Sequence, residues 1–474
     1  LRAAIAVALL ALPLLGRAAD APRPNVLMIA LDDLNHWVGY LGRNPQTITP
    51  NIDRLAKRGV RFTRSYCAAP VCNPSRAALM TGMRPSTTGV YENNDDWRPH
   101  VSEDLPLTST FRKAGYYVAG AGKIYHEAYG RRTEWDDYLE SPGKDPEPTG
   151  NTGVGGIRFA PLDCDDDDLR EAKIVGYGVE QLKKKHDKPF LLTIGLHKPH
   201  MPWNVPRKYF DMHPLDKIEL PKHLEGDLTD IPPAGVAMAK PNGDHRAMLE
   251  SGRWKEAVQA YLAAISYADA MVGRLLDALD ASEHKDNTIV VLWGDHGWHL
   301  GEKQHWRKFA LWEEATRAPL IWVVPGMTQP NQVCERTVDF MSIYPTLTDL
   351  CGIAKPAHIE GASIKSLLAD PKAAWDTPAL TTHERKNHAV RSEGWRYIRY
   401  ADGGEELYDE TNDPYEWTNL AGKPEHAQRI AELAKFLPKQ DAPDISDEEG
   451  KKPAGDSAKA AKAERRKARK QKNR

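Results

Sequence analysis

Cysteine is scarce in this 474-residue chain: Cys67, Cys72, Cys164, Cys334 and Cys351 are all there are, and no Cys-x-x-Cys occurs. Five scattered thiols exclude a disulfide-built scaffold and a cysteine zinc site, and their odd number leaves at least one unpaired or modified. Cys334 and Cys351, one beside a strand-like and one beside a helix-like stretch, are the pair that an oxidising compartment would let bridge. Long apolar runs are lacking as well, with one exception. Residues 1–15 are almost all apolar, with Arg2 near the front and the small residues of 16–21 behind. That run is too short for a bilayer-spanning helix, which needs about 20 residues, and reads as a secretory signal peptide, residues 1–21. Nothing later reads as transmembrane, so the mature protein is expected in the periplasm or outside the cell. Net charge is nearly absent at −2, but residues 451–474 hold eleven Lys and Arg against two Asp and Glu, leaving −11 on the rest. Residues 441–474, with no apolar stripe, read as a disordered basic tail, and nucleic acid is not an expected partner.

What is present is an alternation of short apolar runs with amphipathic segments. Residues 24–31, 189–195, 288–293 and 319–324 have the pattern of strands buried on both faces of a parallel sheet. Residues 49–56, 105–119, 169–185 and 254–279 have helical patterning; in the last, Val258, Leu262, Ile265, Val272, Leu275, Leu276 and Leu279 form one apolar face. Together they argue an α/β fold with a large sheet sandwiched by helices. Three of the strands end in chemistry: Asp32-Asp33 after the first, His197-Lys198-Pro199-His200 after the second, Asp295-His296 after the third. Open α/β sheets place ligands at such strand ends. Adjacent carboxylates there repel one another unless a cation or proton lies between them, which makes Asp32-Asp33 a metal candidate. The run of four aspartates at 165–168 reads as a solvated surface or a helix N-terminus. Beyond residue 368, short alternating segments at 387–391, 395–400 and 406–409 read as a small antiparallel sheet, followed by a helix.

Val71-Cys72-Asn73-Pro74-Ser75-Arg76-Ala77-Ala78-Leu79-Met80-Thr81-Gly82 draws these parts together. Asn73 can cap, Pro74 suits a first helical position, and the following run favours helix, so Cys72 is expected at a helix N-terminus. The helix dipole, free backbone N–H groups and Arg76 favour an anion there, and a thiol in that place is expected to be acidified. A cysteine-phosphatase loop is excluded, because its Cys-x₅-Arg spacing is not met by the three residues between Cys72 and Arg76.

The Cys-x-Pro-Ser-Arg sequence with Gly82 after it resembles the signature of the type I sulfatases, in which a maturase oxidises the cysteine to formylglycine. Gly122-Lys123-Ile124-Tyr125-His126, the His197 segment, Asp295-His296-Gly297-Trp298 and the Lys308 segment extend the likeness over about residues 24–437. They are most similar to iduronate-2-sulfatases and their bacterial relatives. The resemblance implies an alkaline-phosphatase-like fold with a mixed sheet sandwiched by helices: a catalytic domain over residues 22–368 and a small C-terminal antiparallel-sheet subdomain over 369–440. It implies hydrolysis of sulfate esters by a formylglycine diol at position 72, with Arg76 and Lys123 stabilising charge and His126 regenerating the aldehyde. His197 or Lys308 would protonate the leaving group, and His200 is read as structural.

The implied metal site is Asp32, Asp33, position 72, Asp295 and His296, the last either as a ligand or as a hydrogen-bond partner of the sulfate. All-oxygen carboxylate ligands favour Ca²⁺, with Mg²⁺ second. The substrate implied is a sulfated carbohydrate, cut from its end, with Trp97, Arg98, Trp203 and Trp298 as candidate sugar contacts. A choline sulfatase and a phosphonate or phosphate ester hydrolase share the same machinery. If Cys72 stays a thiol, a non-catalytic calcium-dependent glycan-binding protein is the alternative.

Overall fold

The computed structural model describes residues 23–126, 129–140, 142–149 and 152–446. The expected signal segment and nearly all of the basic tail lie outside these residues. Eight strands form one sheet, in the order Gln332–Asp339, Val60–Tyr66, Leu320–Val323, Thr288–Gly294, Asn25–Asp32, Phe190–Pro199, Tyr117–Gly122 and Asp137–Leu139. Leu320–Val323 runs antiparallel to both neighbours, and every other pairing in the sheet is parallel. The sheet is therefore mixed, as the family resemblance implied.

Successive side chains of a strand point to opposite faces, and here both faces are covered. In Asn25–Asp32, Leu27, Ile29 and Leu31 enter the core beneath the long helix Trp254–Asp280, whereas Val26, Met28 and Ala30 enter the core on the other face. This two-sided burial explains the unbroken apolar runs of the central strands. The helix read over residues 105–119 is shorter in the fold. It spans Leu107–Lys113 and stops before the strand Tyr117–Gly122, with the left-handed Gly115 (φ 85°) between them.

A four-stranded antiparallel sheet, Ala379–Thr382, His388–Arg391, Trp395–Arg399 and Glu405–Asp409, forms the smaller unit, with helix Ala427–Ala434 packed beside it. Its first strand has no clear signal in the sequence. All five cysteines are free thiols, so Cys334 and Cys351 do not bridge; Cys334 sits in the edge strand Gln332–Asp339 and Cys351 follows helix Ile343–Leu350. Among the described residues no helix is long and apolar enough to cross a membrane. The aspartate run forms its own capped turn, Asp166–Asp168, just ahead of the helix Arg170–Lys183, and pairs outward with Lys208 and Arg274.

A buried ionic network joins the two units. Arg396 and Arg391, from the small sheet, meet Glu313 of the large unit together with Glu410 and Glu416; Arg396 Nε lies 2.5 Å from Glu416 and Arg391 Nε 3.1 Å from Glu410. Removing one partner of such a network leaves uncompensated buried charge. Arg396→Leu is therefore expected to cost about 3–5 kcal/mol and Arg396→Lys clearly less. Thermal unfolding combined with limited proteolysis checks this: the leucine variant should lose the small sheet first. Equal midpoints for wild type and Arg396→Leu would refute it.

Candidate active site

The catalytic candidates stand at the C-terminal ends of four adjacent parallel strands. Asp32 closes Asn25–Asp32, with Asp33 next to it in the left-handed region at φ 60°. Asp295 follows Thr288–Gly294, Lys123 follows Tyr117–Gly122, and His197 and His200 lie at the end of Phe190–Pro199. Gly122 and Gly195 allow the last two strand ends to close on each other: a Cβ on Gly195 would lie 2.2 Å from Lys123 O, and the Lys123 N–H donates to Gly195 O at 2.8 Å.

The helix carrying the nucleophile candidate is Cys72–Thr81, two residues earlier than Asn73 capping would give, and Gly82 ends it in the left-handed region. Its axis brings Cys72 and Arg76, both fully buried, under the strand ends.

Lys308 Nζ donates to Cys72 Sγ and to Asp33 Oδ1, both at 2.7 Å. His296 Nε2 lies 3.4 Å from the same sulfur, 3.4 Å from Asp33 Oδ1 and 3.5 Å from Asp295 Oδ2. Arg76 donates through Nε to Asp295 Oδ2 at 2.9 Å and through Nη2 to Asp32 Oδ1 at 3.3 Å, and its Nη1 serves the carbonyls of Lys123 and Ile124. Lys123 Nζ donates to Asp32 Oδ2. With all three of its nitrogens engaged inside the protein, Arg76 orders the carboxylates, which is more than the anion-contacting role implied for it. The backbone N–H of Asp33 donates to Asp295 Oδ1 at 2.9 Å, and Tyr261 OH donates to Asp33 O at 2.7 Å.

Three carboxylates thus face three cations in a dry site. Burial alone would raise Asp32, but Lys123, His200 and Arg76 hold it well below the usual carboxylate range. Burial, reinforced by Asp32 and Asp33 and only partly countered by Arg76, pushes Asp295 up to about 7. Burial, aided by Asp32, also pushes the Cys72 thiol up. The acidified thiol expected at a helix start is not what this environment makes, because desolvation and neighbouring carboxylates outweigh the helix end. Burial and Lys123 push His126 down to about 3, so its imidazole is neutral at ordinary pH.

The donor set fits an oxygen-preferring divalent cation. Ligand atoms of Asp32, Cys72, Asp295 and His296 lie within 4.8 Å of one another, as do those of Asp32, Asp33, Cys72 and His200. Asp33 Oδ2 is buried without a hydrogen-bond partner. A dication there would offset the carboxylates and leave the lysines free to attract an anion.

The two histidines of the His197 segment exchange the parts the sequence gave them. His200, read as structural, brings Nε2 to 3.7 Å from Asp33 Oδ2. His197 instead turns Nδ1 toward the buried carboxylate of Glu171, at 3.7 Å. The His200 N–H donates to His197 O at 2.8 Å, so the chain turns between the two histidines, and sequence does not say which one faces the acids.

The sugar-facing reading of the tryptophans does not survive their burial. Trp97 is fully buried, stacked on Tyr125 at 5.1 Å and beneath Arg131. Trp203 is fully buried against Tyr261 and Trp298. Trp298, also buried, lies under Lys308 with Nζ 5.7 Å from its ring, so it supports the lysine and has no open face for a sugar. Arg98 is held by both oxygens of Asp96 at 2.8 Å.

Comparison with known proteins agrees with this geometry. Residues 24–353 match the family model "Sulfatase", and residues 301–442 match "N-sulphoglucosamine sulphohydrolase, C-terminal". A sulfatase of Formosa agariphila is 38% identical, covering 89% of this chain and 88% of its own. The iduronate 2-sulfatase of Homo sapiens is 31% identical over 70% of each chain. A solved structure of a 2-O GAG sulfatase has the same fold, with a TM-score of 0.69 at 24% identity, covering 88% of this chain and 91% of that one. The chain belongs to the sulfatase family and is a sulfuric ester hydrolase.

Proposed function

We propose that this enzyme removes sulfate from the end of a sulfated carbohydrate, with a 2-O-sulfated uronate as the preferred group. In this reading a maturase converts Cys72 to formylglycine, and Asp32, Asp33 and Asp295, with His296 beside them, hold a calcium ion. The observation that carries it is the convergence of three strand-end carboxylates and three buried cations on the side chain at position 72. When present, formylglycine supplies a hydrated aldehyde as oxygen nucleophile, and the cation supplies positive charge against the sulfate oxygens.

The chain's own residues do the rest. Lys308, touching both Asp33 and the side chain at 72, fixes that side chain and presents an ammonium to the ester. Lys123, paired with Asp32, draws the anion in and stabilises the charge that builds on its oxygens. His200 Nε2, near Asp33, would give a proton to the departing sugar oxygen, the part expected from the sequence for His197 or Lys308; burial lowers its pKa, so it acts as an acid only with the anionic ester bound beside it. His126, neutral and with Nδ1 buried without a hydrogen-bond partner among the described residues, would accept one as sulfate leaves. Export to the periplasm or the medium, which the apolar N-terminal run would direct, belongs to the same reading.

The uronate preference draws on the likeness to iduronate 2-sulfatase. Parallel assays of 2-O-sulfated uronate disaccharides, 6-O-sulfated hexosamines, choline sulfate and a phenylphosphonate ester test it. The uronate is expected to lead in kcat/KM by at least about tenfold, the scale of one to a few kcal/mol of pocket discrimination. Turnover of choline sulfate or the phosphonate with no sulfated sugar cleaved would remove the carbohydrate reading and leave the nucleophile and metal assignments standing.

A further inference from the structure

We propose that a cavity of about 320 Å³ beside the reactive centre, lined among others by Lys240, Asp244, His245, His305, Arg307 and Phe309, is a subsite for an anionic sugar joined to the sulfated one. The full substrate is then at least a disaccharide. This deepens the sulfatase reading and rests on it.

The cavity begins one residue to either side of Lys308, whose ammonium touches Cys72 Sγ at 2.7 Å. The Phe309 ring centroid is 5.8 Å from that same Nζ, and the Phe309 N–H donates at 3.2 Å to Pro70 O, two residues before Cys72. One short segment therefore sends its lysine to the reactive position and its two flanking side chains to the cavity.

Arg307 is prepared for a ligand. Asp244 Oδ2 accepts from its Nε at 2.6 Å, while Asp244 Oδ1 accepts the Gly156 N–H at 2.9 Å, so the carboxylate pins the guanidinium to a fixed turn. A Cβ at Gly156 would lie 1.9 Å from Arg307 Nη2, so only glycine leaves the fork its place. Among the described residues the two terminal nitrogens of Arg307 have no hydrogen-bond partner. Such a fork suits a carboxylate or sulfate bidentately.

Arg307 and Phe309 hold φ of 81° and 72°, and Lys240 on the facing segment holds 51°. Lys240 there is the left-handed C-cap of helix Pro233–Ala239, and the strain at Arg307 and Phe309 is held by the structure around them. Burial pushes His245 down to about 4 and lowers His305 as well, so at neutral pH Lys240 and Arg307 carry the positive charge against Asp244 alone. A net positive hollow with one aromatic face matches an acidic pyranose.

The test compares an aryl sulfate with three disaccharides that share one sulfated non-reducing sugar: the second sugar is a uronate, a sulfated hexosamine or a neutral hexosamine. Wild-type enzyme is expected to favour at least one anionic partner over the neutral one tenfold or more in kcat/KM. Arg307→Gln and Lys240→Gln should each reduce the preference for that disaccharide over the aryl sulfate at least tenfold, mostly through KM. Phe309→Ala should weaken all three disaccharides. The carboxylate and sulfate arms identify which anion the fork prefers. In parallel, calorimetry measures binding of the desulfated anionic disaccharides to Cys72→Ala protein with and without Arg307→Gln. Equal treatment of anionic and neutral partners, or preferences and binding unmoved by Arg307→Gln and Lys240→Gln, would overturn the subsite. Absence of turnover on every sulfate ester would instead count against the sulfatase reading, and the binding arm would still decide the cavity.

Discussion

Cys72→Ala protein is expected to bind the sulfated sugar normally and to lose at least about 10⁴-fold in kcat, the scale seen when a nucleophile that works as part of a unit is removed. The side chain at 72 is buried and ringed by Lys308, His296 and Asp33, so alanine removes the reacting atom without exposing the site. A plain thiol there is a poor nucleophile, because burial pushes its pKa up and keeps it protonated. Protein made in its native host should therefore carry an aldehyde in place of the thiol, read from the mass of the peptide containing residue 72. Cys72→Ser separates the steps further. A serine oxygen can take the sulfuryl group once, but it has no second hydroxyl on its carbon to expel sulfate, so a stable sulfated serine is expected after one turnover. Full activity in protein whose residue 72 is entirely thiol would end the formylglycine reading.

Chelation is expected to remove activity by at least about 10³-fold, on the scale assigned to losing electrostatic stabilisation of transition-state charge. Calcium should restore wild-type protein and fail to restore Asp295→Asn. The asparagine keeps the shape but has one acceptor oxygen, so it can serve the Asp33 N–H or Arg76 Nε but not both, and it gives up one of three negative ligands. Thermal unfolding supplies a readout independent of turnover: a ligand that binds only the folded state, at a concentration 100 times its Kd, stabilises by about 2.7 kcal/mol. Calcium should therefore raise the wild-type midpoint and leave that of Asp295→Asn unmoved. Because Asp295 titrates near 7 without the ion, proton and cation compete, and the apparent affinity should weaken as pH falls through 7. His296→Asn should lose less than Asp295→Asn, since the imidazole, whose pKa burial and Lys308 hold near 3, is neutral and offers no charge. Equal activity with and without chelator, in protein shown to be metal-free, would dismiss the cation.

The sequence by itself determined the central strands and the residues at their ends, though not every helix boundary or the first strand of the small sheet. Apolar runs such as 24–31 and 288–293 identify strands covered on both faces, because no other location hides every second and every first side chain at once. Carboxylates and histidines that follow such runs directly must emerge at strand ends, so Asp32, Asp33 and Asp295 were legible as one candidate site before any coordinates. The helix at Cys72 was legible from its composition, although it starts two residues earlier than the expected Asn73 cap would give.

Tertiary structure alone decided which side chains meet. His197 and His200 have the same chemistry three residues apart, and only packing against helix Arg170–Lys183 turns one to Glu171 and the other to Asp33. Three tryptophans near motifs looked available to a sugar and the core took them, since proximity along the chain says nothing about which face is wet. The Glu171 carboxylate, the arginine network beneath the small sheet and the cavity at Arg307 have no local signature. Each joins residues far apart in the chain, and the energies that pair them arise only when the sheet closes and water leaves, whereas strand and helix patterns are set by neighbours a few residues apart.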